Sequence, residues 1–376
     1  MKVGFYSNLT IRHNGSTQLR CLQPAQYLRS KGYDVRVKRI HQSIPRKGEI
    51  VVLHRAFYNE YTEAFINAAK AQGSPVLYDT DDLLFEPAGS DYLVRIGKKN
   101  YKDYASALKA MQACDHVIVS TDFLAQRARK HLSKVSTILN GLSTDFIRNG
   151  NAIHKQRQSL NKDFITMAYL CGSSTHNGDF KIVEEALLKS LKDNPRLQLL
   201  LVGPLKFSKK FYRFGRQFLH RDFIPYAEYT KIFEQIDLNL VPLEQQEMFC
   251  QAKSELKFIE AGICGVPSLA TPTDPHKKAI RDGLNSAFAD DHEWEQKIKE
   301  LCASPQQLRA MGEQARQTVL EFYTPEKRAE EWSQLFERLA QDTWTSASPL
   351  HPANGKMLLR YSLQGIKREL RKIKNG

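Results

Sequence analysis

The sequence predicts an α/β chain of two doubly wound units, and three observations carry that prediction. At 376 residues the chain exceeds one ordinary core and fits two domains of typical size. Short β-rich runs alternate with helical stretches, the pattern of parallel sheets covered by helices. The alternation pauses at a polar stretch, residues 148–162, and then starts afresh. The first series places strands at residues 3–7, 34–37, 50–54, 75–79, 116–121 and 135–139. Helical periods fall between them, as at 61–71 and 101–113. The second series runs strand 165–170, helix 180–191, strand 197–202, strand 238–241, helix 254–262 and strand 267–270. Apolar residues at helical spacing then mark 293–302, 306–322 and 325–339, where Trp332, Leu335, Phe336 and Leu339 share one face. Thr324-Pro325 is a helix start with Pro at the first helical position. The expected layout is a first unit over 1–147, a linker over 148–163 and a second unit over 164–322. A helix crosses back at 323–341, and 342–376 form a loose linker and a basic tail.

Composition narrows the class. Hydrophobic residues at 41% and aromatic residues at 10% are enough to fill two cores, which excludes global disorder. No run approaches the ~18–20 apolar residues of a membrane-spanning helix. Residues 1–6 enter a strand without the marks of a secretory signal. Cys21, Cys114, Cys171, Cys250, Cys264 and Cys302 are scattered without metal-ligand spacing and read as buried free thiols. A cytoplasmic protein is therefore expected. The formal net charge of +14 calls for an anionic partner: nucleic acid, phosphate ligands or an acidic membrane surface. One basic cluster (Lys206, Lys209, Lys210, Arg213, Arg216) is interleaved with Phe207, Phe211, Tyr212, Phe214 and Phe218. A second lies in the tail.

The most informative stretch runs over residues 252–267. On a helix, Lys253, Lys257 and Glu260 fall at i, i+4 and i+7, on a single face. Ser254 is a natural N-cap, and a helix N-terminus favours anions. Two ammonium groups there suit a diphosphate, and a carboxylate one turn on suits the two hydroxyls of a ribose. The plainer reading is a surface helix with ordinary i, i+4 charge pairs. Position favours the first, because the helix follows the strand at 238–241 and its Gly-x-Pro turn (Gly265-Val266-Pro267) leads into another strand.

On these residues the sequence resembles the family-four, or "group 1", glycosyltransferases. The resemblance implies the GT-B fold: two Rossmann-like domains facing a cleft, with C-terminal helices packing back towards the N-domain. The family's hallmark is a Glu-x7-Glu pattern followed by a Gly-x-Pro turn. Glu260 matches the second Glu, which binds ribose, while Ala252 stands where the first Glu is expected. The chain is most similar to a branch with Lys-Ser-x-Leu-Lys-x-Ile-Glu in place of the full motif. Tyr169–His176 matches the first strand-to-helix turn of the second domain, where Gly172, Ser173 and Ser174 suit a phosphate cradle. The family's basic pair after that turn is missing, which shifts weight to Lys253 and Lys257, with His176 as a further phosphate donor. Asp222–Tyr226 resembles the segment that reads the nucleotide base. The donor-binding set is thus Gly172, Ser173, Ser174, His176, Gly203, Pro225, Tyr226, Ser254 and Glu260.

In the first unit, Asn14–Thr17 resembles the family's glycine-rich acceptor loop, and Gly15 and Ser16 are its candidates. Tyr78–Asp82 gathers three carboxylates at a strand end. Asp79 and Asp81 are read as acceptor ligands. Asp79-Thr80-Asp81 also spells the metal-binding Asp-x-Asp motif of single-domain glycosyltransferases, and Asp82 is placed to cap a following helix. The resemblance disfavours an obligatory metal: no cofactor beyond a nucleotide-sugar co-substrate is expected. His54 and Arg55 end the strand at 50–54; Arg55 joins the acceptor set, and His54 either assists phosphate departure or has a structural role.

The reaction implied is transfer from a nucleotide-sugar to a hydroxyl of a glycan or lipid-linked acceptor, with retention, in bacterial surface polysaccharide biosynthesis. Lys253, Lys257, Asp82 and His54 are its catalytic candidates, the cations acting on the departing diphosphate. Leu358, Leu359, Leu363, Ile366, Leu370 and Ile373 recur at helical intervals among Lys and Arg, as in a helix that lies on an anionic membrane surface. Peripheral attachment to the inner face of the cell membrane is the corresponding expectation; a helix packed on protein is the alternative. A nucleotide-sugar epimerase of GT-B build and a basic nucleic-acid-binding protein are the rival classes.

Overall fold

The computed structural model describes residues 1–10, 14–86, 92–159 and 162–341. The described chain divides into two compact units: 1–140 together with 325–341, and 141–324. The tail proposed as a membrane element lies outside the described residues.

The first unit is a six-stranded sheet of β1 (Lys2–Ser7), β2 (Asp34–Arg39), β3 (Glu49–His54), β4 (Val76–Thr80), β5 (His116–Val119) and β6 (Val135–Thr137). All pairs are parallel, in the order β2-β1-β3-β4-β5-β6. The chain leaves β1 in opposite directions across the sheet, so the topological switch lies between β1 and β3, where such folds place ligands. Register sets Ser7 opposite His54, and His54 opposite Asp79, at that carboxyl edge. Asn14 caps the helical run that starts at Gly15, its side chain accepting from Thr17 N at 3.1 Å. The face predicted on the Pro325–Gln341 helix is buried in this unit: Trp332, Leu335, Phe336 and Leu339 pack with Phe5, Leu28 and Val35. The Phe5 and Trp332 rings meet edge-on at 5.4 Å. Each buried Leu or Phe of that face contributes about 1.5–3 kcal/mol, which holds the terminal helix to this sheet.

The second unit carries β7 (Ile165–Leu170), β8 (Leu197–Val202), β9 (Phe218–Arg221), β10 (Leu238–Val241), β11 (Ser268–Ala270) and β12 (Ala287–Phe288). Its order is β12-β11-β10-β7-β8-β9, again parallel, and the switch point falls between β7 and β10. The short strands β9 and β12 at its edges carry too few residues to show a period. All six cysteines are free and buried.

Three expectations change. Residues 148–162, read as a linker, lie largely in the Thr144–Arg157 helix, which buries only Phe146, Gly150 and Ile153. Of its apolar side chains only Phe146 and Ile153 are buried, which leaves little periodic signal. Gly150 is there because a Cβ would come within 2.9 Å of the Ile263 side chain. The helix read from 254 begins at Leu256 and runs to Ile263, so Ser254 is not its N-cap; Glu255 holds that position and makes no side-chain capping hydrogen bond. Residues 83–86, which Asp82 was expected to cap, are not helical. In the first basic cluster Phe211 is buried and stacks on Phe218 at 5.2 Å while Phe207 packs edge-on, and Tyr212 stays exposed.

Candidate functional site

Two clusters of chemistry-bearing side chains stand at the carboxyl edges of the two sheets, one in each unit. In the second unit β7 exits through Cys171 into a turn at Ser174–His176 and then the Asn177–Asp193 helix. Gly203, just past β8, has φ +102°, and a Cβ there would lie 1.9 Å from the Cys171 carbonyl oxygen. Only glycine lets the two strand exits run this close. Ser173 Oγ and Thr175 Oγ1 share a 2.6 Å hydrogen bond. The Ser174 side chain lies outside the described residues.

The hub of this cluster is Asp179, which sequence reasoning missed. It is fully buried in the first turn of the helix. Its carboxylate receives Lys253 Nζ at 3.0 Å, His176 Nδ1 at 2.8 Å and the Glu244 amide at 3.2 Å. Burial alone would raise its pKa, but Lys253 and His176 hold it well below the usual carboxylate range. His176 is pushed down to about 4 by burial and by the charges of Lys253 and Lys257, which outweigh Asp179. At neutral pH it is therefore a neutral imidazole, and its Nδ1 lies 2.8 Å from the Asp179 carboxylate and 3.3 Å from Lys253 Nζ, which ties His176 into the cluster.

Lys257 differs from Lys253. Its Nζ is buried, has no hydrogen-bond partner among the described residues, and sits 4.7 Å above the Tyr169 ring. Burial lowers its pKa. A desolvated ammonium without an acceptor is costly, and cation–π contact offsets only about 2 kcal/mol of that cost. Three residues on, Glu260 is 5% exposed, and burial pushes its carboxyl up to about 8 against the opposing effects of Lys257 and a hydrogen bond with Tyr229. Tyr229 stacks on Tyr226 at 6.3 Å, and Pro225 precedes this short turn. Ala252 is buried, and Ser254 stands between Lys253 and the helix. The structure thus brings His176, Lys253 and Lys257 together in one electrostatic cluster and puts Glu260 on the same helix as Lys257.

The first unit holds a chain of bonds at the β1/β3 switch. Arg20 Nη2 reaches Asp79 at 2.5 Å, His54 Nδ1 meets Asp79 at 2.8 Å, and Ser16 Oγ lies 3.0 Å from His54 Nε2. Ser16 Oγ also donates to both Asp81 oxygens, at 2.6 and 2.7 Å. Arg55, the single described non-glycine residue with positive φ (47°), bridges Asp81 and Asp82 at 2.6 Å each. The Ser16–His54–Asp79 distances match those of a nucleophilic serine triad. The Asp81 carboxylate on the same hydroxyl would repel any oxyanion forming there, so the group works as a fixed bonding network. Asp79 and His54 have no exposed surface, and their bonds position Ser16, the structural role that the sequence also allowed for His54. Gly15, Ser16, Arg55, Asp81 and Asp82 retain exposure. The carboxylates do not fit a divalent cation. Arg20 and Arg55 already neutralise Asp79 and Asp81 and would repel a metal, and no metal-binding group of His, Cys, Asp and Glu occurs among the described residues. No described helix is long and apolar enough to cross a membrane.

A family model described as glycosyl transferase-like matches residues 181–334. No curated protein gives a sequence match. Among solved structures, Anabaena Alr3699/HepE in complex with UDP and glucose is 14% identical with a TM-score of 0.63, covering 90% of this chain and 100% of that one. Sucrose-phosphate synthase from Thermosynechococcus elongatus is 15% identical, TM-score 0.64, covering 90% and 99%. A glycosyltransferase from Rickettsia africae is 13% identical, TM-score 0.60, covering 91% and 99%. At such identities the likeness is one of fold: the chain has the GT-B fold of two Rossmann-like domains.

Glu260 generates a pH prediction. Its folded value near 8 exceeds the ordinary 4.5. Between those values the folded chain keeps a proton that the unfolded chain has released, so stability falls as pH rises through that window. Glu260→Gln should therefore raise the melting temperature at about pH 9 and leave it nearly unchanged at about pH 5, by roughly 2–4 °C per kcal/mol relieved. Melting curves showing an equal difference at both pH values would refute the buried-acid assignment.

Proposed function

We propose that the chain is a nucleotide-sugar-dependent glycosyltransferase whose second unit holds the donor. The single observation that carries this reading is the buried, unpaired Lys257 ammonium beside the Lys253–Asp179–His176 cluster at a Rossmann switch point. A ligand phosphate is the acceptor that Lys257 lacks. In this account Lys253 and Lys257 stabilise the charge that develops on the departing diphosphate, and the amides of the Gly172–Ser174 turn add to it. Glu260, next to Tyr229, accepts the ribose hydroxyls, while Pro225 and Tyr226 contact the base. UDP and UDP-glucose, held by the Anabaena HepE structures, are the first donors to try.

The first unit takes the acceptor in this reading. Ser16, Arg55 and Asp81 offer partly buried polar groups to sugar hydroxyls, and Asp82 acts through Arg55. Retention follows from the family resemblance, with front-face transfer assisted at the leaving group, since Ala252 supplies no nucleophile. The acceptor is a glycan or a lipid-linked sugar in surface polysaccharide synthesis, and the basic tail carries the enzyme to an anionic membrane. Nucleic-acid binding is disfavoured because Phe207, Phe211 and Phe218 of the basic-aromatic segment pack on one another, which leaves Tyr212 as its exposed ring instead of a row of stacking platforms. An epimerase would turn over nucleotide-sugar without acceptor.

Lys257→Ala should lower turnover by about 10²–10³-fold, the loss of one preorganised charge-stabilising group, while the melting temperature holds or rises because a buried charge is removed. Unchanged turnover with a UDP-sugar and acceptor would sink the role. For the tail, the full chain should sediment with phosphatidylserine vesicles and a chain ending at residue 341 should not; equal pelleting would reject membrane attachment.

A further inference from the structure

The second sheet has another charged cavity, at its amino edge. It measures ≈ 220 Å³, and Ile165, the first residue of β7, and Asp237, which precedes β10, belong to its wall. The candidate donor cluster follows the other end of β7, a strand of six residues, or roughly 17–20 Å away. Four cations face this cavity: Arg157, Lys162, Arg196 and Arg309. Asp237 and Glu313 are the carboxylates present.

The pairing inside it leaves positive charge over. Asp237 takes Lys162 at 2.8 Å and Arg157 at 3.6 Å. Glu313 is held by His154 at 2.5 Å. Arg157 is further spent on the carbonyls of Phe233 and Ile236. No side-chain hydrogen bond or ion pair is recorded for Arg196 or Arg309 among the described residues, and both are exposed at the rim. Burial lowers both Arg157 and Lys162, and the charge of Arg309 lowers them further despite Asp237. The first turn of the eighteen-residue Pro305–Phe322 helix lines the same cavity and turns its positive end to it. Phe164 and Leu308 supply an apolar wall.

We propose that this cavity is a second anion site that binds a small phosphate-bearing ligand with an apolar body, independently of the donor cluster. The two rim guanidiniums take the phosphate, and the Phe164 and Leu308 side chains cover the apolar part. Neither the donor cluster nor the transfer reaction is needed for binding here.

Calorimetric titration of the full chain with phenyl phosphate and with inorganic phosphate tests it. The expected result is saturable binding, tighter for phenyl phosphate, that persists in Lys257→Ala, where phosphate uptake at the donor cluster is removed, and that is weakened about tenfold or more when Arg196→Glu/Arg309→Glu is added to Lys257→Ala. Because both arginines are exposed, the double variant should melt as the parent does; Arg196→Gln/Arg309→Gln serves as the milder second variant. Absence of saturable binding in Lys257→Ala, or binding there that survives both arginine double variants, would each overturn the proposal, the first because the donor cluster would then be the phosphate site.

Discussion

Two ammonium groups and an imidazole crowd the carboxyl edge of the second sheet, and one buried carboxylate, Asp179, makes that crowding tolerable. It pairs with Lys253, bonds to His176 Nδ1 and accepts the Glu244 amide. Lys257 stays outside that arrangement, its charge facing an aromatic ring and no acceptor. Removing one partner from a buried charge network leaves the others uncompensated, which costs more than the pair itself contributes. The cluster is thus held in one geometry before any anion arrives, and that preorganisation is what electrostatic catalysis requires.

The first unit uses a similar device for a different end. Asp79 is buried between Arg20 and His54, and through His54 it sets Ser16 against Asp81 and Arg55. Each unit therefore has a buried aspartate at or next to a switch-point strand whose task is to aim other groups. The difference is in what is left over. In the first unit the carboxylates are matched by guanidiniums; in the second the cations outnumber the carboxylate that binds them.

Much of this was legible in the residues, in an uneven way. Strands such as β7, β8 and β10 are predominantly apolar, with one interior polar residue each (Thr166, Gln198 and Asn239), as suits buried parallel strands, and the Trp332–Leu339 face shows a helical period because one whole side is buried. The Thr144–Arg157 helix was not legible, since Phe146 and Ile153 alone face inward. Lys257 and Glu260 were found through motif spacing, which survives without coordinates. Asp179 was not, because nothing local separates a hub from an ordinary acidic residue in a helix's first turn. Its proximity to Lys253 spans 74 residues. The buried state of Asp79 and His54 was equally hidden: a polar strand end reads as exposed until the partner, here Arg20, is placed beside it.

Donor binding by the second unit is the central claim, and hydrogen exchange reads it most directly. The full chain would be measured with UDP, GDP and dTDP in turn. The account predicts that one of them slows exchange in the segments spanning 171–180 and 253–263, around Asp179, Lys257 and Glu260. Protection confined to other parts of the chain, or none with any of the three, would contradict it.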